Sequence, residues 1–501
     1  MKRTNKKIEN LTILFGNKYL WIFFVNLIML LSIVVVIKLE KPGYWYDEII
    51  VTEISKQPVL ELLDTIKAEP HPPGFYLLLK LLPTDNPINT RIIIASTGTL
   101  LMVLGILVGG KLGVLKKHNL NAGIILLVLS PFWIQQVTTI KQDVITTPLM
   151  LLNFIVLIKY SERKQFKYLL LAYIVFFILF FFGYINALVC FSCLCLVSLR
   201  KKSNKEFYIF FIVVLFLSAY LLLGGYTQFK ENFSRFGWQE NQYASLLALL
   251  KVSVGGRLPG IKSFFLSDFF VAGGIVLLYM RVKTLGKDNT VEKKALKFSV
   301  LYLLFGMLIA GIAKSRYISG VIIILFLLIG QEITKIKIKN KVVPMALLSI
   351  YMFNSVGNFL RYTKTIQSYE IQTNKIKTIS GSKKLGLISN HPLDALVRKK
   401  YYIKDPRITP INPFEPYNSL EITRENLSRD GHFEDKTTKK VAENLKSSGF
   451  EDFVYIETSF TENYYDSNGK VMEVLNKQCS EKDLGEWKKY YLILFEKCKF
   501  N

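Results

Sequence analysis

The stretch YWYDEIIVTEISKQPVLELLDTIKAEPHPPGFYLLLKLL, residues 44–82, decides how the rest of the 501-residue chain is read. An adjacent acid pair, Asp47-Glu48, directly follows an apolar run, and His71-Pro72-Pro73-Gly74 stands just before the next one. Carboxylates at the mouth of a membrane span are costly to desolvate, so a chain that keeps two of them there is expected to use them. The membrane itself is read from the flanks. Tyr19 to Ile37 and Val342 to Leu360 each run 19 residues without a charge. At ~1.5 Å per residue such a helix crosses ~30 Å of hydrocarbon. The chain is 51% hydrophobic, its mean hydropathy is +0.30, and it reads as an α-helical polytopic membrane protein.

Basic residues (Lys2, Arg3, Lys6, Lys7) precede the first run, as in a signal peptide. The run is longer than a usual signal core and no small-x-small cleavage site follows, so it is expected to stay as the first helix. Apolar runs near 19–37, 91–110, 120–140, 144–158, 168–182, 184–199, 207–224, 263–280, 298–313, 317–331 and 342–360 give eleven candidate spans. Tyr168 to Leu199 is uncharged throughout and is read as two short helices turning at Gly183. That choice keeps every basic packet, such as Lys159/Arg163/Lys164/Lys167 and Arg200/Lys201/Lys202/Lys205, on the side of the N-terminus. The positive-inside rule then places the N-terminus in the cytoplasm of a plasma-membrane protein and residues from 361 onward outside. The net charge of +26 is accounted for by orientation and by anionic membrane lipids, and no nucleic-acid partner is expected.

This divides the chain into a membrane domain, 1–360, whose first outer loop is 38–90, and an extracytoplasmic tail, 361–501. Ile50, Ile54, Leu60 and Leu63 in that loop fit one interfacial helix lying along the membrane. The tail has strand-like runs, KLGLISN, DFVYIET and YYLILFEK, with a helical pattern between them, and reads as a small α/β domain. Cys190, Cys193 and Cys195 read as small buried hydrophobes. Cys479 and Cys498 lie in the tail, where a disulfide between them is open on spacing alone.

Placed by depth, acidic and basic residues both gather at the outer boundary of the expected spans. Asp47 and Glu48 follow the first span, and Lys141 and Asp143 lie in the outer turn between the third and fourth. Asp268 sits near the outer end of the eighth, and Lys314 and Arg316 lie between the ninth and tenth. Together they outline a polar cavity opening outward. Each also has a plainer reading. Lys141 and Asp143 can pair or be solvated, Asp268 can cap its helix after Ser267, and Arg316 can snorkel to headgroups. The two prolines after His71 either aim its ring or simply start a helix.

YWYDE after the first span, HPPGFYLLLKLL, and Arg91 opening the second span resemble the first outer loop of GT-C membrane glycosyltransferases. The resemblance is to the protein mannosyltransferase and aminoarabinose transferase-like family. LSPFWIQQVTTIKQDVITTPLM is similar to that family's third-to-fourth-span turn, with Lys141 where an Arg is usual. KSRYISGV, with Lys314, Arg316 and Tyr317, looks like its Arg-Tyr opening of a late span, without the proline that often follows. The likeness covers roughly residues 1–360. It implies a GT-C-like fold, a polyprenyl-phosphate sugar donor, a glycan, lipid or protein acceptor, and Asp47 as catalytic base.

The residue types suit that chemistry. A carboxylate takes the acceptor's proton, and Lys or Arg meets the charge that develops on the departing phosphate. Glu48 would support Asp47 or orient the acceptor, with His71, Arg91, Lys141, Asp143, Asp268, Lys314, Arg316 and Tyr317 as substrate-binding candidates. No cofactor is required, although Asp47 with His71 leaves a divalent metal ion open. The rival reading is a transporter or flippase for a lipid-linked glycan. It expects repeat symmetry and mid-membrane helix breaks; here the charges lie at the outer edge and no repeat is visible, which favours the enzyme.

Overall fold

The computed structural model describes residues 18–44, 46–69, 71–83, 85–198, 204–220, 254–255, 266–284, 319–336, 342–389, 395, 398–399, 402–413, 437–458, 469–487 and 490–500; for some of these, Asp47 among them, the backbone alone. Lys314, Arg316, Tyr317 and the expected span at 298–313 lie outside the described residues. The chain forms two compact units. One takes the described residues of 1–41, 71–227 and 239–363, the other those of 42–70 and 364–501.

The first unit is helical: α1 Lys18–Glu40, then α4 Gly74–Lys80, α5 Pro87–Lys111, α6 Val114–Lys117, α7 Asn121–Leu129, α8 Pro131–Thr138, α9 Asp143–Arg163, α10 Phe166–Phe182, α11 Tyr184–Ser198, α12 Asn204–Tyr220, α13 Ser267–Thr284, α14 Ser319–Ile333 and the start of α15 Val342–Ser380. Within it, Trp21–Glu40, Pro87–Lys111, Asp143–Arg163 and Val342–Thr363 are each long and apolar enough to cross a membrane. Leu31, Leu39, Leu100, Leu107 and Phe353 are large, apolar and exposed. Such side chains spread over long helices need lipid rather than water around them. This is an integral membrane protein.

The long helices differ in depth. Asp143–Arg163 is 78% buried along its apolar window, against 33% for Trp21–Glu40. α9 packs on α5, α10, α11 and α14, and so forms the middle of the unit. The run expected as one span at 120–140 is instead α7 and α8, bent by 56°. Pro131 has no N–H to continue α7, and Ser130 is extended (φ −73°, ψ 149°) with its hydroxyl accepting from the Trp133 amide at 3.1 Å. A capped proline start thus replaces a continuous helix.

The second unit joins residues 42–70 of the first loop to the tail. Its loop part is α2 Tyr46–Lys56 and α3 Val59–Thr65, so the single interfacial helix expected there is two helices. Pro58 (φ −51°, ψ 148°) breaks them, leaving Ile50 and Ile54 buried but Leu60 82% exposed. α15 continues past the expected end at 360 as far as Ser380, because no Pro or Gly intervenes until Gly381 at φ +50°. Five strands follow: β1 Leu385–Ser389, β2 Ile408–Pro410, β3 Phe453–Thr458, β4 Ser480–Trp487 and β5 Tyr490–Glu496, in the order β2-β1-β3-β5-β4. β1 runs parallel to β2 and β3, and β5 runs antiparallel to β3 and β4.

Strand alternation gives this sheet two buried faces. Tyr455, Ile493 and Phe495 pack with Val441 and Leu445 of α16 (Thr438–Ser447) and Val471 and Leu475 of α17 (Lys470–Gln478). Val454, Ile456, Leu492 and Leu494 face Ile376 of α15 and Ile403. Cys479 and Cys498 form a disulfide, tying the end of α17 to the chain after β5.

Candidate functional site

The candidate residues described fall into two groups, one in each unit. In the first unit it is the turn between α8 and α9. Lys141, Gln142 and Asp143 are only 5%, 4% and 3% exposed there. The turn is tight, with the Lys141 amide donating to the Thr139 carbonyl at 2.9 Å and the Thr146 amide to the Gln142 carbonyl at 3.0 Å. Asp143 opens α9, where the helix dipole favours a negative charge. Arg91 of α5 is buried and donates from Nη1 to the Thr138 carbonyl at 2.6 Å. That bond satisfies a helix-end carbonyl and holds α8 in the line that aims the turn.

His71 reaches the same turn. The Gln142 side-chain amide donates to His71 Nδ1 at 3.0 Å, which places the proton of a neutral imidazole on Nε2. Gly74 explains how His71 comes there. A Cβ at Gly74 would collide with the Phe181 carbonyl of α10, so a bare backbone at this position lets the His-Pro-Pro-Gly turn lie against the end of that helix. The pair of prolines then leads directly into α4, with Pro73 at its N-cap.

Below the turn, a relay of neutral groups runs inward. Asn186 of α11 donates to the Thr146 hydroxyl at 3.0 Å and accepts from the Ser319 hydroxyl of α14 at 2.8 Å. Sequence reasoning missed Asn186, Thr146 and Ser319, because neutral polar residues in apolar runs are common. The one available signal was their recurrence in three separate spans near the ends facing the turn. Asp268, by contrast, is exposed in the first turn of α13. Its neighbour Ser267 bonds to Asn354 of α15 at 3.3 Å, and Asn358 donates to Ser267 at 3.3 Å.

In the second unit, Asp47 lies in the first turn of α2 and Glu48 follows it, with no exposed surface. Ile49, Ile54, Thr52 and Ser55 are buried along the same helix, and Glu53 pairs with Lys56 at 3.2 Å. A fully buried carboxylate beside the candidate base needs fixed partners, since the desolvation of an unpaired charge is severe. Among the described residues, no three His, Cys, Asp or Glu side chains gather as a metal-ligand set.

No protein-family model matches the chain, and no curated protein matches it. Among solved structures it is similar to ArnT from Cupriavidus metallidurans bound to undecaprenyl phosphate, at 11% identity and a TM-score of 0.46, over 95% of this chain and 98% of that one. A likeness at that identity and TM-score is too loose to assign an activity.

Proposed function

We propose that the chain is a membrane glycosyltransferase of GT-C type that moves a sugar from a polyprenyl-phosphate donor to a cell-surface acceptor at the outer face. Asp47 takes the proton of the acceptor hydroxyl or amine as the acceptor atom bonds to the anomeric carbon. The bond from that carbon to the phosphate oxygen breaks, and polyprenyl phosphate leaves. Lys141 and Arg316 meet the charge that grows on the phosphate, Lys as a point charge and Arg as a fork. Glu48 supports Asp47. One base and one displacement invert the anomeric configuration, with no covalent sugar–enzyme intermediate.

The observation that carries this reading is the burial of Lys141 and Asp143, at 5% and 3% exposure, in a turn that also holds His71. Ionisable groups withdrawn from solvent in a membrane protein are functional candidates by default. The acid pair and the HPPGF stretch add the likeness to the GT-C first loop. Arg91 has a positioning part here, because its guanidinium holds the Thr138 carbonyl.

The test is transfer of labelled sugar by membranes bearing the wild-type or Asp47→Asn chain, over a panel of polyprenyl-phosphate sugars. Loss of a catalytic base costs on the order of 10²–10⁴-fold in rate, at unchanged protein level. An Asp47→Asn protein with full activity would sink the proposal.

A further inference from the structure

The tail reaches back to the acid-pair helix. The Tyr402 hydroxyl donates to the carbonyl of Tyr44, 358 residues away in the chain and just ahead of α2. The contact is shaped as well as bonded. A Cβ on Gly43 would stand 2.7 Å from the Tyr402 hydroxyl oxygen and 3.4 and 3.5 Å from two ring carbons, so a side chain there would push the hydroxyl from its place. Tyr44 itself is 2% exposed.

Tyr402 is held from its own side. The amides of Tyr402 and Ile403 both return to the Arg398 carbonyl, at 2.9 and 2.8 Å. Arg398 is buried and reaches the Thr373 hydroxyl of α15 at 3.5 Å. Ile403 is in the core of the sheet's second face. Beyond it, Asp405 and Arg407 pair at 2.5 Å and close the loop. The hydroxyl is therefore presented from a braced turn, and it engages the backbone that leads into Asp47.

We infer that Tyr402 and Gly43 form a positioning clasp through which the carboxyl-terminal sheet fixes the first turn of α2, and with it Asp47. This rests on the proposed role of Asp47 as base. Tyr402 touches no substrate in this scheme. It acts through the backbone at Tyr44, and it gives the tail a part in the reaction.

The test uses the full-length protein in lipid nanodiscs, with two readouts: hydrogen exchange of residues 46–56, and transfer kinetics with the donor found active for wild type. Tyr402→Phe keeps the ring and removes one hydrogen bond. Exchange in α2 is expected to rise about threefold to tenfold, and kcat to fall by a similar factor, the size of a single bond. KM for the donor stays within about twofold, and exchange of β1, β3 and β5 is unchanged. Gly43→Ala is expected to do the same alone. Added to Tyr402→Phe it does little more, because the remaining ring atoms at 3.4 and 3.5 Å are at ordinary contact distance. Unchanged exchange in α2, or additive losses, overturns the clasp. Raised exchange with unchanged kcat overturns the positioning role. Wild-type protein that transfers no sugar, while exchange responds as stated, overturns the glycosyltransferase reading and not the clasp.

Discussion

The two ends of α9 treat charge in opposite ways. At the Arg163 end, Glu162 pairs with Lys117 at 2.7 Å and Lys159 at 3.8 Å, and His118 Nε2 lies 2.8 Å from it. Gln331 of α14 fastens the His118 carbonyl at 2.8 Å, and Lys159 also bonds to the Leu112 carbonyl. Lys117 is 64% exposed, so solvent shares the load. At the Asp143 end, Lys141 and Asp143 are nearly without exposed surface and sit in a turn that His71, Arg91 and the α8 bend all help to shape. A cluster with one solvent-facing lysine at one end steadies a helix. Deeply withdrawn charge at the other is a far more demanding arrangement, and demand of that kind marks the end where chemistry is expected.

Removing one charge from each end is the sharpest way to break the comparison. Lys141→Met keeps the length of the chain and loses the cation. Transfer is expected to fall on the order of 10²–10³-fold, the usual cost of one donor to a developing negative charge. Thermal unfolding in detergent checks that the protein remains folded. Glu162→Gln is expected to do the reverse: a loss of about 1–3 kcal/mol of stability, with kcat per folded molecule unaltered. Equal losses of rate in both variants would erase the distinction between the ends.

The same contrast explains what the sequence made legible. Charge-free runs and basic packets located α1, α5, α9 and α15 because span length is fixed by the bilayer. The turn at Gly183 between α10 and α11 was readable because a 32-residue uncharged stretch cannot be one straight span. Short apolar runs bounded by polar residues marked β1, β3 and β5. Lys141, Asp143 and His71 were visible as candidates, since charge stands out against apolar runs. Their shared turn was not, because the His71–Gln142 bond joins residues 71 apart and depends on Gly74 seating against α10. The Asn186–Thr146–Ser319 relay and the Tyr402–Tyr44 contact were hidden for the same reason: no local pattern encodes a partner far along the chain. The bend at Ser130-Pro131 lies inside an apolar run on both sides, which hides its capping serine and proline behind the length of a single span.

A milder change sharpens the picture within the Asp143 end. Gln142→Leu removes the donor to His71 Nδ1 and leaves Lys141 and Asp143 in place. One side-chain bond of about 0.5–1.5 kcal/mol corresponds to about a 2- to 10-fold loss of rate. A Gln142→Leu enzyme with unchanged rate and unchanged unfolding temperature would show that the bond to His71 has no part in transfer.

The smallest expected effect comes from the partly exposed Asp405–Arg407 pair, which sets the bottom of the scale against which Lys141 and Glu162 are judged. The Arg407 guanidinium and amide, both bonded to Asp405, pull the Asp405 carboxyl down to about 2. An unfolded chain holds an aspartate near ~3.9. The folded value being the lower one, the unfolded chain binds protons first as pH falls. The contribution is then fully present above ~3.9 and is lost as pH drops through ~2. Asp405→Asn should thus lower the unfolding temperature slightly at pH 6, and the gap from wild type should close as pH approaches 2. A gap that stayed constant across that window would mean the carboxylate's charge has no part in bracing the turn that presents Tyr402. The turn would then rest on the paired Arg398 carbonyl bonds and the burial of Ile403 alone.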